Sequence, residues 1–335
     1  MRRLIVITLV IALASGIAGE AITDHPPAAD AGGRWPVKIF TVSTPYNRIG
    51  AALSNRYVSG LSVRFTWARI EPRPGRYRWG IIDDAIRRAR SAGKLAMIRV
   101  MAGIYSPDWV KRQTPTLTFA DEYLYNAAAY PSQVTMPIPW RRSFRHRWER
   151  FVKALGRRYD GRAGLYSVQM AGGGFIGEMT LPTDIDKWRR AGYTDRKYIR
   201  TWKRIITYYR RAFPHTPINL DIVEPWGAGG SSDVVDPVVR FATRSDRKKA
   251  WIQSNALRAD MLGWVGPYRE AVRWSSRRTR VGYQMIGAAP TSSSLKDAFT
   301  VAIQDHVSYV EVYGADILES ANQWNLRYLA TRGNP

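Results

Sequence analysis

Short β-rich runs alternate with longer amphipathic stretches along almost the whole chain, and this alternation limits the fold more than any other feature. The runs fall at 37–43, 61–67, 95–101, 165–171, 218–223, 250–255, 281–286 and 307–313. Between them, 81–92, 144–159, 196–213 and 294–305 carry apolar residues three and four apart, the spacing of one buried helix face. A closing helix is expected over 318–331. Strands separated by helices build a parallel sheet, because parallel neighbours need a long crossover. Eight such units in roughly 300 residues fit a closed barrel better than an open sheet. The expectation is an α/β fold, a (β/α)8 TIM barrel, in one domain spanning 34–335. Helix punctuation agrees: Asp83 or Asp84 opens the second helix, Gly93 stops it, and Pro214 closes the helix before the fifth strand.

The residues ahead of this domain read differently. Met1-Arg2-Arg3 is followed by an apolar run over 4–13 and then by small residues at Ala14, Ser15, Gly16, Ala18, Gly19 and Ala21. Residues 1–21 therefore read as a secretory signal peptide. Residues 22–33, rich in Ala, Pro, Asp and Gly without periodicity, read as a disordered leader. The apolar run falls short of the ~20 residues that span a bilayer, which favours cleavage over an uncleaved anchor. The expected location is outside the cytoplasm or in the cell envelope, with no membrane span after cleavage. Cysteine is absent, which excludes thiolate chemistry, disulfides and zinc ribbons. The four histidines, His25, His146, His215 and His306, are scattered, and neither a metal nor a cofactor is expected.

The formal charge is +24, from 51 Lys and Arg against 27 Asp and Glu. Much of the excess falls on predicted helices, in pairs such as Arg141-Arg142, Arg157-Arg158 and Arg210-Arg211. Such a field attracts polyanions, and anionic envelope polymers are the expected electrostatic partner. The arginines are dispersed and no recognition motif accompanies them, so specific nucleic-acid binding is not expected.

A barrel of this type works at the C-terminal ends of its strands. There the second run delivers Trp67, and the third carries Arg99 and leads to Trp109. The fourth gives Gln169, then a glycine-rich exit, Gly172-Gly173-Gly174-Phe175-Ile176-Gly177, running into Glu178. The fifth gives Asp221, Glu224 and Trp226, the sixth Asn255, the seventh Gln284, and the eighth Glu311 and Tyr313. Indoles stack on the apolar faces of sugars while amides and carboxylates bind hydroxyls, so an oligo- or polysaccharide is the expected ligand. Alternation along the eighth run puts Val307, Tyr309, Glu311 and Tyr313 on one face, and Ser308, Val310 and Val312 on the other. The aliphatic face suits the helix layer, so Glu311 points inward. A buried carboxylate is costly unless compensated, so Glu311 is either functional or paired with Arg64 or Arg99. The glycine-rich exit also matches the dinucleotide pattern G-x-G-x-x-G. That pattern must open a helix, and Glu178-Met179-Thr180-Leu181-Pro182 does not.

Several of these segments resemble glycoside-hydrolase barrels related to the family 42 β-galactosidases. Trp67-Ala68-Arg69-Ile70-Glu71-Pro72, Pro74-Gly75, Tyr77, Trp79 and Asp83 are similar to their second βα unit, and Pro107-Asp108-Trp109-Val110 to the loop after their third strand. Tyr159-Asp160-Gly161 and then Gly174 to Glu178 resemble the approach to their acid/base glutamate. The chain departs from the wider clan in two places. Gly177 stands where an Asn usually precedes the acid/base, and Gln284 ends the strand that usually carries the nucleophile. The resemblance implies a glycoside hydrolase using two carboxylates, Glu178 as acid/base and Glu311 as nucleophile or base, and the N-terminal segment makes it a secreted one. The residues delivered at the strand ends, Trp67, Arg99, Trp109, Gln169, Asp221, Glu224, Trp226, Asn255, Gln284 and Tyr313, are the expected substrate contacts. A shifted strand count, a variant site, or a barrel that binds glycans or envelope without cleaving them would each account for the departures.

Overall fold

The computed structural model describes residues 36–42, 49–120, 133–182, 184–223, 225, 233–263 and 266–332. The expected signal peptide and leader lie outside the described residues, as do Glu224 and Trp226. The barrel strands are β1 (Lys38–Val42), β2 (Val58–Thr66), β3 (Leu95–Met101), β4 (Leu165–Gln169), β5 (Ile218–Asp221), β6 (Trp251–Leu257), β7 (Val281–Met285) and β8 (Tyr309–Tyr313). Each pairs in parallel with its neighbours, and β8 closes onto β1 with Phe40 opposite Glu311 and Val42 opposite Tyr313. This is a (β/α)8 TIM barrel formed by the eight predicted runs. Glu311 accordingly lies on the eighth strand, opposite Gln284 of β7.

The outer layer follows from helical spacing. Helix Arg142–Tyr159 buries Phe144, Trp148, Phe151, Val152, Leu155 and Tyr159, while its basic residues stay on the other side. Helix Asp195–Ala212 buries Tyr198, Trp202, Ile205, Ile206 and Tyr209, and its Thr194 cap accepts a hydrogen bond from the Lys197 amide. Inside the barrel, Phe40, Met97, Tyr166, Trp251 and Tyr309 form a separate apolar cluster. Tyr309 comes two residues before Glu311 on the same strand face, so this cluster floors the barrel beneath the polar residues above it. Among the described residues, no helix is long and apolar enough to cross a membrane.

Three local features differ from the sequence expectation. Thr116–Ala120 and Gln133–Pro137 form an antiparallel pair in the segment after β3. Its period-two apolar residues cover the helix layer, with Phe119 stacked on Trp188 at 4.8 Å. The closing helix is broken into Gly314–Leu318, a 3-10 turn Ser320–Asn322, and Gln323–Ala330. Glu319 ends the first piece and its carboxylate accepts from the Ala321 amide. Finally, β2 ends at Thr66 rather than Trp67, because the Thr66 hydroxyl accepts from the Arg69 amide and starts a short helix, Trp67–Ile70.

Candidate active site

Above the aromatic floor the barrel interior is polar, and Arg99 of β3 organises it. Arg99 is 1% exposed. Its Nε donates to Gln169 Oε1, its Nη1 to Glu178 Oε1, and its Nη2 to Asp221 Oδ2 at 3.3 Å. Asn255 of β6 donates from Nδ2 to the same two carboxylates, to Glu178 at 3.0 Å and to Asp221 more closely. Gln253 Nε2 holds the Asn255 carbonyl at 2.8 Å, and the Gln253 carbonyl in turn accepts from Tyr309 and Asn219. A second cluster lies on the β2, β7 and β8 side. Ser62 donates to Glu311 Oε1 at 2.9 Å, and Arg64 donates to Gln284 while its Nη2 lies 3.7 Å from Glu311 Oε2.

Exposure separates the carboxylates. The Glu178 side chain keeps 13% of its surface, whereas those of Asp221 and Glu311 keep 1% and none. Burial pushes Glu178 upward in pKa, but Arg99 and then Arg64 outweigh it, so the group sits below the ordinary carboxylate value. Asp221 goes the other way. Burial is the largest cause and the neighbouring Glu178 charge the next, and together they carry it well above its usual value. Two carboxyls that share donors cannot both ionise cheaply, so one takes the proton.

The exit loop that presents Glu178 explains its glycines. Gly172 has φ +121°, and a Cβ there would lie 2.1 Å from the Trp148 indole nitrogen. Gly177 has φ +101°, in the left-handed half of the map where a side chain is strained. The Asn expected from the resemblance is therefore incompatible with this loop. The Gly172 amide donates to the Gly177 carbonyl at 2.8 Å and the Phe175 amide to Thr180 at 2.7 Å, which fixes the position of Glu178.

Two of the expected tryptophans, Trp67 and Trp109, are placed elsewhere, and this corrects the sequence reading for them. Trp67 is wholly buried; its indole donates to Glu71 at 2.8 Å, and its ring packs against Trp148 at 4.9 Å and Phe151 at 5.5 Å. Trp109 donates to the Glu71 carbonyl at 3.1 Å, with the Arg150 guanidinium over its ring. Both belong to the packing outside the barrel and offer no free face to a sugar. The cause is the early end of β2 at Thr66, which turns Trp67 out of the strand. Glu71 organises this region, accepting also from the Gly75 amide and from Arg150. The motif that carries the resemblance is thus largely scaffold.

Of the remaining candidates, the structure brings together Glu178, Arg99, Asp221, Asn255 and Gln169, and, on the other side, Glu311 and Gln284. Tyr313 ends β8, partly exposed. Sequence reasoning misses Ser62 and Asn219, although period-two alternation on β2 and β5 places them on the faces that carry Arg64 and Asp221.

A closed parallel barrel with a carboxylate, guanidinium and amide network above its floor defines a TIM barrel with the residue types of a glycan-handling site. Residues 56–172 match the glycoside-hydrolase family 42 model, described as β-galactosidase. The match covers less than half of the chain and stops before Glu178. In structure the chain is similar to the β-galactosidase of the psychrophilic Marinomonas ef1, with 12% identity and a TM-score of 0.57, covering 88% of this chain and 59% of that one. It is also similar to the catalytic domain of the Paenibacillus polymyxa β-amylase, with 8% identity and a TM-score of 0.59, covering 90% and 99%. At these identities the likeness speaks for the fold. No curated protein matches in sequence. The family match is confined to residues 56–172, and the likeness to solved structures adds the barrel architecture.

Proposed function

We propose that the chain is an exported glycoside hydrolase that cleaves an O-glycosidic bond with two carboxylates, Glu178 as acid/base and Glu311 as nucleophile or base. The carrying observation is the placement of Glu178: the most exposed of the three inner carboxylates, fixed by a glycine-rich loop and hydrogen-bonded by Arg99 and Asn255. In such chemistry one carboxylic acid protonates the leaving oxygen while the second carboxylate attacks the anomeric carbon or activates water. Arg99, Gln169, Asn255 and Gln284 shape the polar wall, and Tyr313 supplies a partly apolar edge. Leaving-group dependence tests the role of Glu178. Glu178→Gln is expected to retain turnover of an activated nitrophenyl glycoside and to lose about 10²–10⁴-fold on a natural linkage, the usual worth of general acid help. Equal losses on both substrates would remove Glu178 from this role.

A second reading has an observation in its favour. Glu311 is wholly buried beside Arg64, which itself keeps 18% exposure, so a substrate reaches Glu311 only after Arg64 moves. A barrel that holds a glycan or envelope polymer without cutting it needs no such movement.

Export rests on the basic and then apolar start at 1–21, and envelope contact on the net charge, +24 for the full sequence and +23 once two cations, Arg2 and Arg3, and one anion, Glu20, are removed with residues 1–21. Exported protein is expected to begin between Ile17 and Asp30, and its adhesion to anionic polymers to weaken as salt shortens the Debye length from about 10 Å at 0.1 M to about 3 Å at 1 M. N-terminal sequencing that finds Met1 retained, or adhesion indifferent to salt, would contradict these assignments.

A further inference from the structure

The inner network contains two guanidiniums, Arg64 and Arg99, against three carboxyls, Glu178, Asp221 and Glu311. One bound proton makes it neutral, and its position matters for catalysis. A general acid must carry a proton when substrate arrives, yet Glu178 rests against Arg99 in an ion pair that favours its charged form. Asp221 faces Glu178 across shared donors: Arg99 Nη1 and Nη2 reach one carboxyl each, and Asn255 Nδ2 reaches both. Were Asp221 ionised, its Oδ1 would be a buried anionic oxygen with no hydrogen-bond donor.

We propose that Asp221 is the proton reserve of this site, passing its proton to Glu178, which delivers it to the leaving oxygen. The inference rests on the hydrolase reading for the last transfer only. The balance is simple. Asp221 begins as an acid and Glu178 as a carboxylate; the proton moves to Glu178 and then to the departing glycosidic oxygen as the C–O bond breaks. Asp221 is left ionised and takes a proton from solvent, by way of the more exposed Glu178, once the product has left. Arg99 makes the exchange inexpensive, because its two Nη groups hold whichever carboxyl bears the charge. The groups facing Asp221 are Arg99 from β3, Glu178 from the β4 exit and Asn255 from β6, with Glu311 and Tyr309 of β8 near enough to act electrostatically. Asp221 touches no substrate in this scheme; it acts through Glu178.

The test reads the proton directly by infrared spectroscopy of the carboxylic C=O stretch at pH 7. Asp316, another buried carboxyl whose pKa is raised to about 6 by burial, is silenced by an Asp316→Asn background. The expected result is one protonated carboxyl in that background and none when Asp221→Asn is added. Asparagine at 221 mimics the protonated acid, so Arg99 and Glu178 keep their contact. Stability supplies a second readout. A raised folded-state pKa means that stability falls as pH rises from the unfolded value, about 3.9, towards the folded one. That fall should be present in the Asp316→Asn protein and absent once Asp221→Asn is added. On glycosides, Asp221→Asn should lose poor leaving groups while retaining aryl glycosides. A protein without a protonated carboxyl at pH 7 overturns the proposal, even if Asp221→Asn fails to fold. So does a signal that persists in Asp221→Asn. If the signal behaves as expected but no glycoside is ever cleaved, the proton reserve stands and the hydrolase reading falls.

Discussion

Arg99→Met is expected to cost about 3–5 kcal/mol of folding stability at neutral pH, the usual result of removing one partner from a buried charge pair. Arg99 is the shared cation of Glu178 and Asp221, and methionine leaves both carboxyls without a guanidinium. The pH dependence identifies the cause. In the native protein Glu178 has a lowered pKa, so its contribution is present above the ordinary carboxylate range and lost as pH falls through its folded value. In Arg99→Met the largest opposition to burial is gone, leaving only the more distant Arg64 charge at Glu178, and both carboxyls are pushed upward. The loss should then be largest at pH 8 and shrink towards pH 5, where the acids take up protons. Denaturant unfolding at the two pH values measures this. A small loss that does not change with pH would mean that Arg99 is not the charge that holds this network together.

The other large effect is catalytic. Glu311→Gln is expected to abolish turnover of natural and activated glycosides alike, because no remaining group on that side of the barrel would attack the anomeric carbon or activate water. Glutamine keeps the acceptor for Ser62 and the volume of the side chain, so the fold should survive. It also releases Arg64 from its anionic partner, and a rise in affinity for an uncleaved substrate is a reasonable companion result. Full activity in Glu311→Gln together with a dead Glu224→Gln would transfer the role to Glu224.

Much of this architecture was legible because it depends on periodicity. The eight β-rich runs became the eight barrel strands, and the eighth run's alternation placed Glu311 inward with Val310 and Val312 outward. The tryptophans were not legible in the same way. Whether Trp67 ends a strand or starts a helix turns on one local competition, the Thr66 hydroxyl capping the Arg69 amide, and that decides which side of the barrel wall the indole occupies. Glu71, an acid just past the end of β2, is likewise consumed by Trp67, Gly75 and Arg150. The hairpin after β3 escaped because its two strands are short and lie within a long connection. Arg99 was legible only as one inward arginine on a strand. That it joins Gln169, Glu178 and Asp221 depends on contacts among three chain segments far apart in sequence, which no local pattern encodes.

The most direct test of the central claim is bond cleavage by the unaltered protein, followed with nitrophenyl glycosides and with polysaccharides by release of nitrophenol and of reducing ends. At least one glycoside is expected to be cleaved, and for its natural counterpart the rate should fall in Glu178→Gln while turnover of the aryl glycoside survives. A polysaccharide that binds to the barrel mouth, competes with its own oligosaccharides and is never cut would contradict hydrolysis and leave a glycan-binding barrel in its place.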